Sequence, residues 1–276
     1  MKYLLKKYIS SSFRTRLEYI RHDLLNSPLS SAWKILRRRQ NLLVRHSNWF
    51  NDLKTQGYTI IHNYLSKEQC NKAAIDLKAA FELYPTFVSK AEDKRIFGIE
   101  QILPAARTLA QDINFLELGE LVNREQTYCA FTLGNLLESG KGGSSGGGWH
   151  RDAFHGQYKA LLYLTDVTED NGPFELLPRS HHLASVLAGI EKAGLGYMQN
   201  RLSDAEVCRL EELLQTSRKP ITGGAGTLVL FNSSSVHRGR PIQSGERLAF
   251  TNYYFPISRD LRDVQKQFSV KVAADV

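Results

Sequence analysis

No apolar run in this 276-residue chain approaches the roughly 18 to 20 residues that a membrane-spanning helix requires. Cysteine is scarce: Cys70, Cys129 and Cys208 stand far apart, odd in number and without CxxC spacing. That excludes a disulfide framework and a zinc ribbon, and points to a reducing, cytoplasmic setting. There is no internal repeat. A phosphate-binding loop is also missing, because Gly140-Lys141 is followed by Gly142 rather than Ser or Thr. The glycine-rich patch Gly140 to Gly148 reads instead as a hairpin connection, or as a lid beside whatever Trp149 and His150 do.

Acidic residues are nearly absent from one place only. Residues 1–46 carry eleven Lys/Arg against Glu18 and Asp23, a net of +9, whereas the rest of the chain nets −1. The overall +8 therefore belongs to the N-terminal arm, and nucleic acid is excluded as the main partner of the remainder. Within the arm, Leu4, Tyr8, Phe13, Leu17, Ile20 and Leu24 recur at roughly helical steps. Asn26-Ser27-Pro28 interrupts them, and Trp33, Leu36 and Leu43 accompany Arg37-Arg38-Arg39 in a second stretch. Three readings stay open: a helical extension packed on the protein with a solvated basic face, an amphipathic helix on an anionic membrane, or an organelle presequence.

We place the boundary between this extension, residues 1–46, and a single larger domain, residues 47–276. Gly57 to Ile61 is β-rich. Ser66 followed by Gln69 predicts a capped helix over 67–83, stopped by Tyr84-Pro85. A broken helical stretch covers 100–124, and helical pattern returns at 203–215. Strands are expected at 126–137, 149–153, 158–165, 173–177, 227–231 and 247–255. Helices early and short strands late give an α+β fold, with a sandwich or jelly roll carrying the site.

What the chain does contain is Trp149-His150-Arg151-Asp152 and, 85 positions beyond Asp152, His237. Two imidazoles and one carboxylate, with nothing softer nearby, are the ligand set that holds non-haem ferrous iron and leaves positions open. On a strand His150 and Asp152 point to one side, so both can reach one ion. His155, three residues past Asp152, would face the other way. An isomerase or hydrolase using the same ligands with zinc is the other metal reading. Among the remaining cations, Arg151, Lys159, Arg179 and Arg238 would favour an anionic substrate or are simply solvated. Tyr128, Phe131, Phe154, Tyr163 and Tyr253 are assigned by default to the core.

Gly148 to Asp152, then Leu164 to His181 with Asn171-Gly172-Pro173 and Pro178-Arg179-Ser180-His181, then Val236-His237 and Arg247, together resemble the phytanoyl-CoA dioxygenase family over roughly residues 50–257. Arg179 stands where that family usually has Gly. The resemblance implies a double-stranded β-helix (cupin-like jelly roll) flanked by helices. It implies iron(II) held by His150, Asp152 and His237, and 2-oxoglutarate as cosubstrate, its distal carboxylate gripped by Arg247. Arg240 is the reserve for that role. The implied reaction consumes molecular oxygen, releases succinate and carbon dioxide, and hydroxylates a small or lipid-like molecule. Related halogenases lack the carboxylate that Asp152 supplies, which favours hydroxylation. The alternative is a catalytically silent β-helix protein whose arm binds an anionic membrane or partner.

Overall fold

The computed structural model describes residues 10–25, 32–84, 93–139, 147–155 and 157–270. Most of the glycine patch, residues 140–146, lies outside them. Two antiparallel sheets and a set of helices make up the described chain. In chain order the elements are α1 (Ser11–Leu25), α2 (Ala32–Arg45), α3 (Ser47–Thr55), β1 (Tyr58–Ile61), α4 (Lys67–Leu83) and β2 (Lys94–Phe97). Then come a 3₁₀ turn (Ile99–Gln101), α5 (Pro104–Ala110), α6 (Ile113–Asn123), β3 (Thr127–Glu138), β4 (Tyr158–Tyr163), β5 (Phe174–Leu176) and α7 (Leu183–Lys192). The chain continues with α8 (Asp204–Leu214), β6 (Lys219–Ile221), β7 (Leu228–Asn232), β8 (His237–Gly239), β9 (Glu246–Pro256) and α9 (Leu261–Gln267).

The large sheet has strand order β1-β7-β4-β9-β3-β2, and the small one β6-β5-β8. Its central strands are buried on both faces, which is why Tyr158-Lys-Ala-Leu-Leu-Tyr163 reads as an almost unbroken apolar run. Alternate side chains go to different places. Ala160 and Leu162 of β4, Leu228 and Leu230 of β7, and Leu248 and Phe250 of β9 pack against the helices, with Leu77, Phe115 and Leu118. Leu161 and Tyr163, Val229 and Phe231, and Ala249 face the small sheet, against Phe174, Leu176 and Ile221. By the same period, Lys159, Arg247 and Tyr253 fall on the small-sheet side. The space between the sheets thus receives both apolar packing and charge.

Local sequence explains the element ends. Ser66 caps α4 by accepting from Gln69 N–H, and the Gln69 side chain accepts in return from Ser66 N–H. Ser203 and Glu206 do the same for α8. The expected strand at 149–153 does not form: His150 makes only single-residue bridges, to Arg201 and to His237. β2, β6 and β8 lacked a clear periodic signal, being three or four residues long.

The arm packs on the rest of the protein, in an unexpected orientation. Thr15 of α1 is fully buried, Arg16 reaches Glu191 of α7 at 3.7 Å, and Arg14 lies 4.6 Å from the Tyr197 ring. Phe13, Leu17 and Ile20 point outward, each about half exposed. In α2, Arg38 pairs with Glu120 at 2.9 Å and Arg45 with Glu117 at 2.8 Å, both on α6. The polar face of α1, rather than its apolar stripe, docks.

Gly226 marks where two loops meet. Its φ is +92°, and a Cβ there would sit 2.3 Å from the carbonyl oxygen of Leu65. Gly245 has φ +70° with open space around it. Gly245→Ala should cost about 1 kcal/mol, the left-handed backbone penalty alone. Gly226→Ala should cost about 3 kcal/mol or more, because backbone must also move. Urea unfolding of both variants tests this; equal losses would show that the Leu65 contact does not constrain Gly226.

Candidate metal centre

His150, Asp152 and His237 offer ligand atoms that all lie within 4.8 Å of one another. The backbone brings them together. His150 N–H donates to His237 O and His237 N–H to His150 O, both at 2.9 Å. Asp152 N–H donates to Ser233 O at 3.0 Å, and Arg151 N–H to Asn200 O at 2.8 Å. Side chains alternate along this bridged loop although it is no strand. Trp149 and Arg151 are buried on one side, 2% exposed each. Trp149 Nε1 donates to Asp204 Oδ1 at 2.8 Å, and Arg151 Nη1 donates to the carbonyls of Ser180 and Ser234. His150 and Asp152 are left facing the cavity, where the side chains of His150, Asp152 and His237 are 15%, 25% and 6% exposed.

Both imidazoles are oriented by the same device. His150 Nδ1 lies 2.8 Å from Gly148 O, and His237 Nδ1 lies 2.8 Å from Ser235 O. A carbonyl only accepts, so each Nδ1 carries a proton and each Nε2 is left facing Asp152. His150 Nε2 is 3.7 Å from Asp152 Oδ1, and His237 Nε2 is 3.4 Å from Asp152 Oδ2. Burial, reinforced by the neighbouring His237, pushes the His150 pKa down to about 4, so this ring is neutral at pH 7. Burial would raise the Asp152 carboxyl, but Lys159, His237 and His150 outweigh it and hold the group well below the usual range. It is an anion wherever the protein is folded near neutrality. Two imidazole nitrogens and one carboxylate, with no cysteine in the group, fit a divalent ion such as ferrous iron.

Lys159 is the neighbour that shapes this charge balance. It lies on β4, 4% exposed, with Nζ 2.7 Å from Asp152 Oδ2 and 3.9 Å from the centre of the Tyr253 ring. Burial lowers the ammonium's pKa, but Asp152 and then Tyr253 more than compensate, and it ends above its ordinary value. The other cations singled out from the sequence are engaged elsewhere. Arg179 donates to the carbonyls of Leu214 and Gln215 at the end of α8. Arg238 pairs with Glu175 at 2.8 Å and Asp204 at 3.2 Å, and lies over Trp149.

Arg247 extends from β9 into a cavity of about 290 Å³ that His150, Asp152, Lys159 and His237 also line. Its guanidinium is buried and under-partnered. Nη1 donates to Gly172 O, Nη2 reaches Asn135 Oδ1 only at 3.5 Å, and Nε has no partner. Burial pushes its pKa down. A buried guanidinium with an unused N–H fits a carboxylate guest, which accepts two parallel bonds. Arg240 lies outside the cavity, a third exposed and paired with Glu169. Below Arg247, Asn135 donates to Asp93 Oδ2 at 2.6 Å and Arg95 to the same oxygen at 2.8 Å. Sequence reasoning did not reach Asn135, Asp93 and Arg95, which lie near no motif. A second cavity, of about 520 Å³, shares His150, Asp152 and Lys159 with the first. His155 lines it and packs edge-on against Tyr19 at 5.3 Å, apart from the ligand group.

The family described as Phytanoyl-CoA dioxygenase (PhyH) matches residues 53–249. No curated protein matches the sequence. Among solved structures, the apo form of EctD from S. alaskensis is similar at TM-score 0.59 and 18% identity, over 77% of each chain. The epimerase SnoN, crystallised with Fe3+, α-ketoglutarate and nogalamycin RO, is similar at TM-score 0.59 and 15% identity, over 77% of this chain and 84% of its own. HygX from Streptomyces hygroscopicus, with nickel and 2-oxoglutarate bound, is similar at TM-score 0.53 and 18% identity, over 76% and 86%. At these identities the likeness is one of fold.

Asp152→Asn removes the one negative charge and keeps the side chain's shape. It should weaken ferrous iron or cobalt(II) binding at least about a hundredfold, measured by anaerobic calorimetry. Unchanged affinity would remove Asp152 from the ligand set.

Proposed function

We propose, from the premise that this chain belongs to the phytanoyl-CoA dioxygenase family, that it is an iron(II)- and 2-oxoglutarate-dependent dioxygenase hydroxylating a small or lipid-like organic substrate. The single observation that carries this reading is one cavity holding both a triad of two imidazoles and a carboxylate and a buried arginine with an unused N–H. In this reading His150, Asp152 and His237 hold the iron through the two Nε2 atoms and the carboxylate, and Arg247 takes the distal carboxylate of 2-oxoglutarate. We read the two facing sheets as the family's double-stranded β-helix, residues 47–276 as the dioxygenase domain and residues 1–46 as its extension.

Bound iron, with 2-oxoglutarate and dioxygen, supplies the oxidising power for removing a hydrogen from an unactivated carbon. The chain's own residues supply placement and charge. Lys159 holds one Asp152 oxygen and so fixes the carboxylate's rotation. The Nδ1–H bonds to Gly148 and Ser235 carbonyls fix both rings and keep them basic at Nε2. Phe174 and Phe231, each about 5.5 Å from the His237 ring, keep water from that side. Solved relatives in fold include an epimerase and a carbocyclase as well as EctD. Which bond is made after hydrogen removal therefore depends on how the second cavity holds the substrate.

Anaerobic addition of ferrous iron and then 2-oxoglutarate should give a weak visible charge-transfer band. Arg247→Leu should raise the 2-oxoglutarate needed for half the band about tenfold or more and leave iron affinity unchanged, while Arg240→Leu changes neither. Absence of the band in iron-loaded protein contradicts the reading, and an unaffected Arg247→Leu variant contradicts the anchor.

The arm supports membrane contact as a second property of the same protein. Phe13, Leu17 and Ile20 form an outward apolar stripe flanked by exposed Arg16 and Arg21, within a segment of net charge +9. An apolar stripe in a basic frame suits an anionic bilayer surface. The full chain should bind vesicles containing phosphatidylserine better than neutral ones, and Phe13→Ser/Leu17→Ser/Ile20→Ser should lower that binding at least about fivefold. Equal partitioning of the two proteins would refute it.

A further inference from the structure

Arg151, Lys159, Arg201 and Arg259 are among the residues lining the 520 Å³ cavity beside the triad, and two of these four cations are held by other groups. Arg151 is held by the Ser180 and Ser234 carbonyls, and Lys159 by Asp152. Arg259, on the far wall, donates to the neutral Gln267 at 3.1 Å and has no ion pair among the described residues. Arg201 differs from all of them. Among the described residues its side chain makes no hydrogen bond or ion pair. Its backbone is nevertheless fixed at the centre of the site, bridged to His150, with Leu202 N–H donating to Trp149 O at 3.0 Å. Its side chain lines both cavities, the one containing Arg247 and the larger one.

Among the described residues, the only carboxylate lining the larger cavity is Asp152, already neutralised by Lys159. Glu125, just beyond the rim, accepts from Ser258 N–H and Oγ–H at 2.7 and 2.8 Å. Phe255, Pro256 and Phe268 supply an apolar part of the cavity's wall. Walls of one sign around a partly enclosed space concentrate anions and repel cations. A guanidinium with free N–H groups is a bidentate seat for a carboxylate or phosphate.

We propose that the larger cavity binds an anionic organic substrate, its carboxylate or phosphate seated on Arg201 and its apolar body lying toward Phe255 and Phe268. This rests on the reading of the triad as the reaction centre. It adds that the substrate carries negative charge, and that Arg201, one strand bridge from His150, sets the reach from that charge to the carbon presented to the metal.

The test uses the full chain and four probes sharing one octyl body: nonanoate, octyl phosphate, octanol and octylamine. Calorimetry on the protein, with and without anaerobic iron and 2-oxoglutarate, gives affinities. The charge-transfer band of the loaded protein reports whether a probe arrives beside the metal. At least one anion should bind about tenfold or more tightly than octanol and octylamine and should shift the band. Which anion does so distinguishes a carboxylate from a phosphate substrate. Arg201→Gln should remove most of that preference, and Arg201→Lys should restore part of it. Equal binding of the four probes, tighter binding of octylamine, or an anion preference untouched by Arg201→Gln overturns the proposal. Should the band never form, the oxygenase reading fails, and the calorimetric preference still decides the question of charge.

Discussion

Two reciprocal backbone hydrogen bonds join His150 to His237, and the site's geometry depends on them. The residues are far apart in the chain, and each belongs to a stretch too short to form a stable strand alone. Joined, they bring two imidazoles to a centroid separation of 4.4 Å. Each ring is then turned by its own Nδ1 bond to a carbonyl two residues back, Gly148 or Ser235. The backbone thus sets position and tautomer together. That is preorganisation: the orientation is built during folding, and the ligand atoms need little rearrangement to converge.

Charge is arranged around that bridge in layers. Asp152 would be costly alone in a cavity between sheets, and Lys159 offsets it at 2.7 Å. Behind this pair, Arg247, Asn135, Asp93 and Arg95 form a chain of polar contacts at the base of the smaller cavity. In front of it, Arg201 and Arg259 face the larger one. The smaller cavity therefore has one buried cation with a donor to spare, and the larger has both cations and apolar side chains in its wall. A dicarboxylate cosubstrate and an amphiphilic anion suit those two environments.

The elements with local causes were legible in the sequence. Ser66 and Gln69 gave the start of α4 and Tyr84-Pro85 its end; the apolar runs gave β4, β7 and β9. The expected strand at 149–153 failed because its partners, Arg201 and His237, each contribute one residue, and no local pattern encodes a single-residue bridge. The alternation of His150 and Asp152 against Trp149 and Arg151 survives, since the burial of Trp149 and Arg151 enforces it. Lys159 did carry a signal, a charge inside an apolar strand, yet its partner could not be named from spacing. Arg201 carried none, because what distinguishes it is the absence of a partner in space. In α1 the periodicity marked the stripe Phe13, Leu17 and Ile20, but not that the opposite face meets α7. Contacts of Arg14, Thr15 and Arg16 decided that, and they depend on Glu191 and Tyr197, far along the chain.

The central claim, that three side chains from two distant stretches of chain hold one iron ion, is tested most directly by a crystal structure of anaerobically iron-loaded protein, with anomalous scattering recorded at the iron edge. The account predicts one strong anomalous peak within coordination distance of His150 Nε2, His237 Nε2 and an Asp152 carboxylate oxygen, with both Nδ1 atoms still on their carbonyls. A peak elsewhere, or iron bound through Nδ1 of either ring, would contradict it.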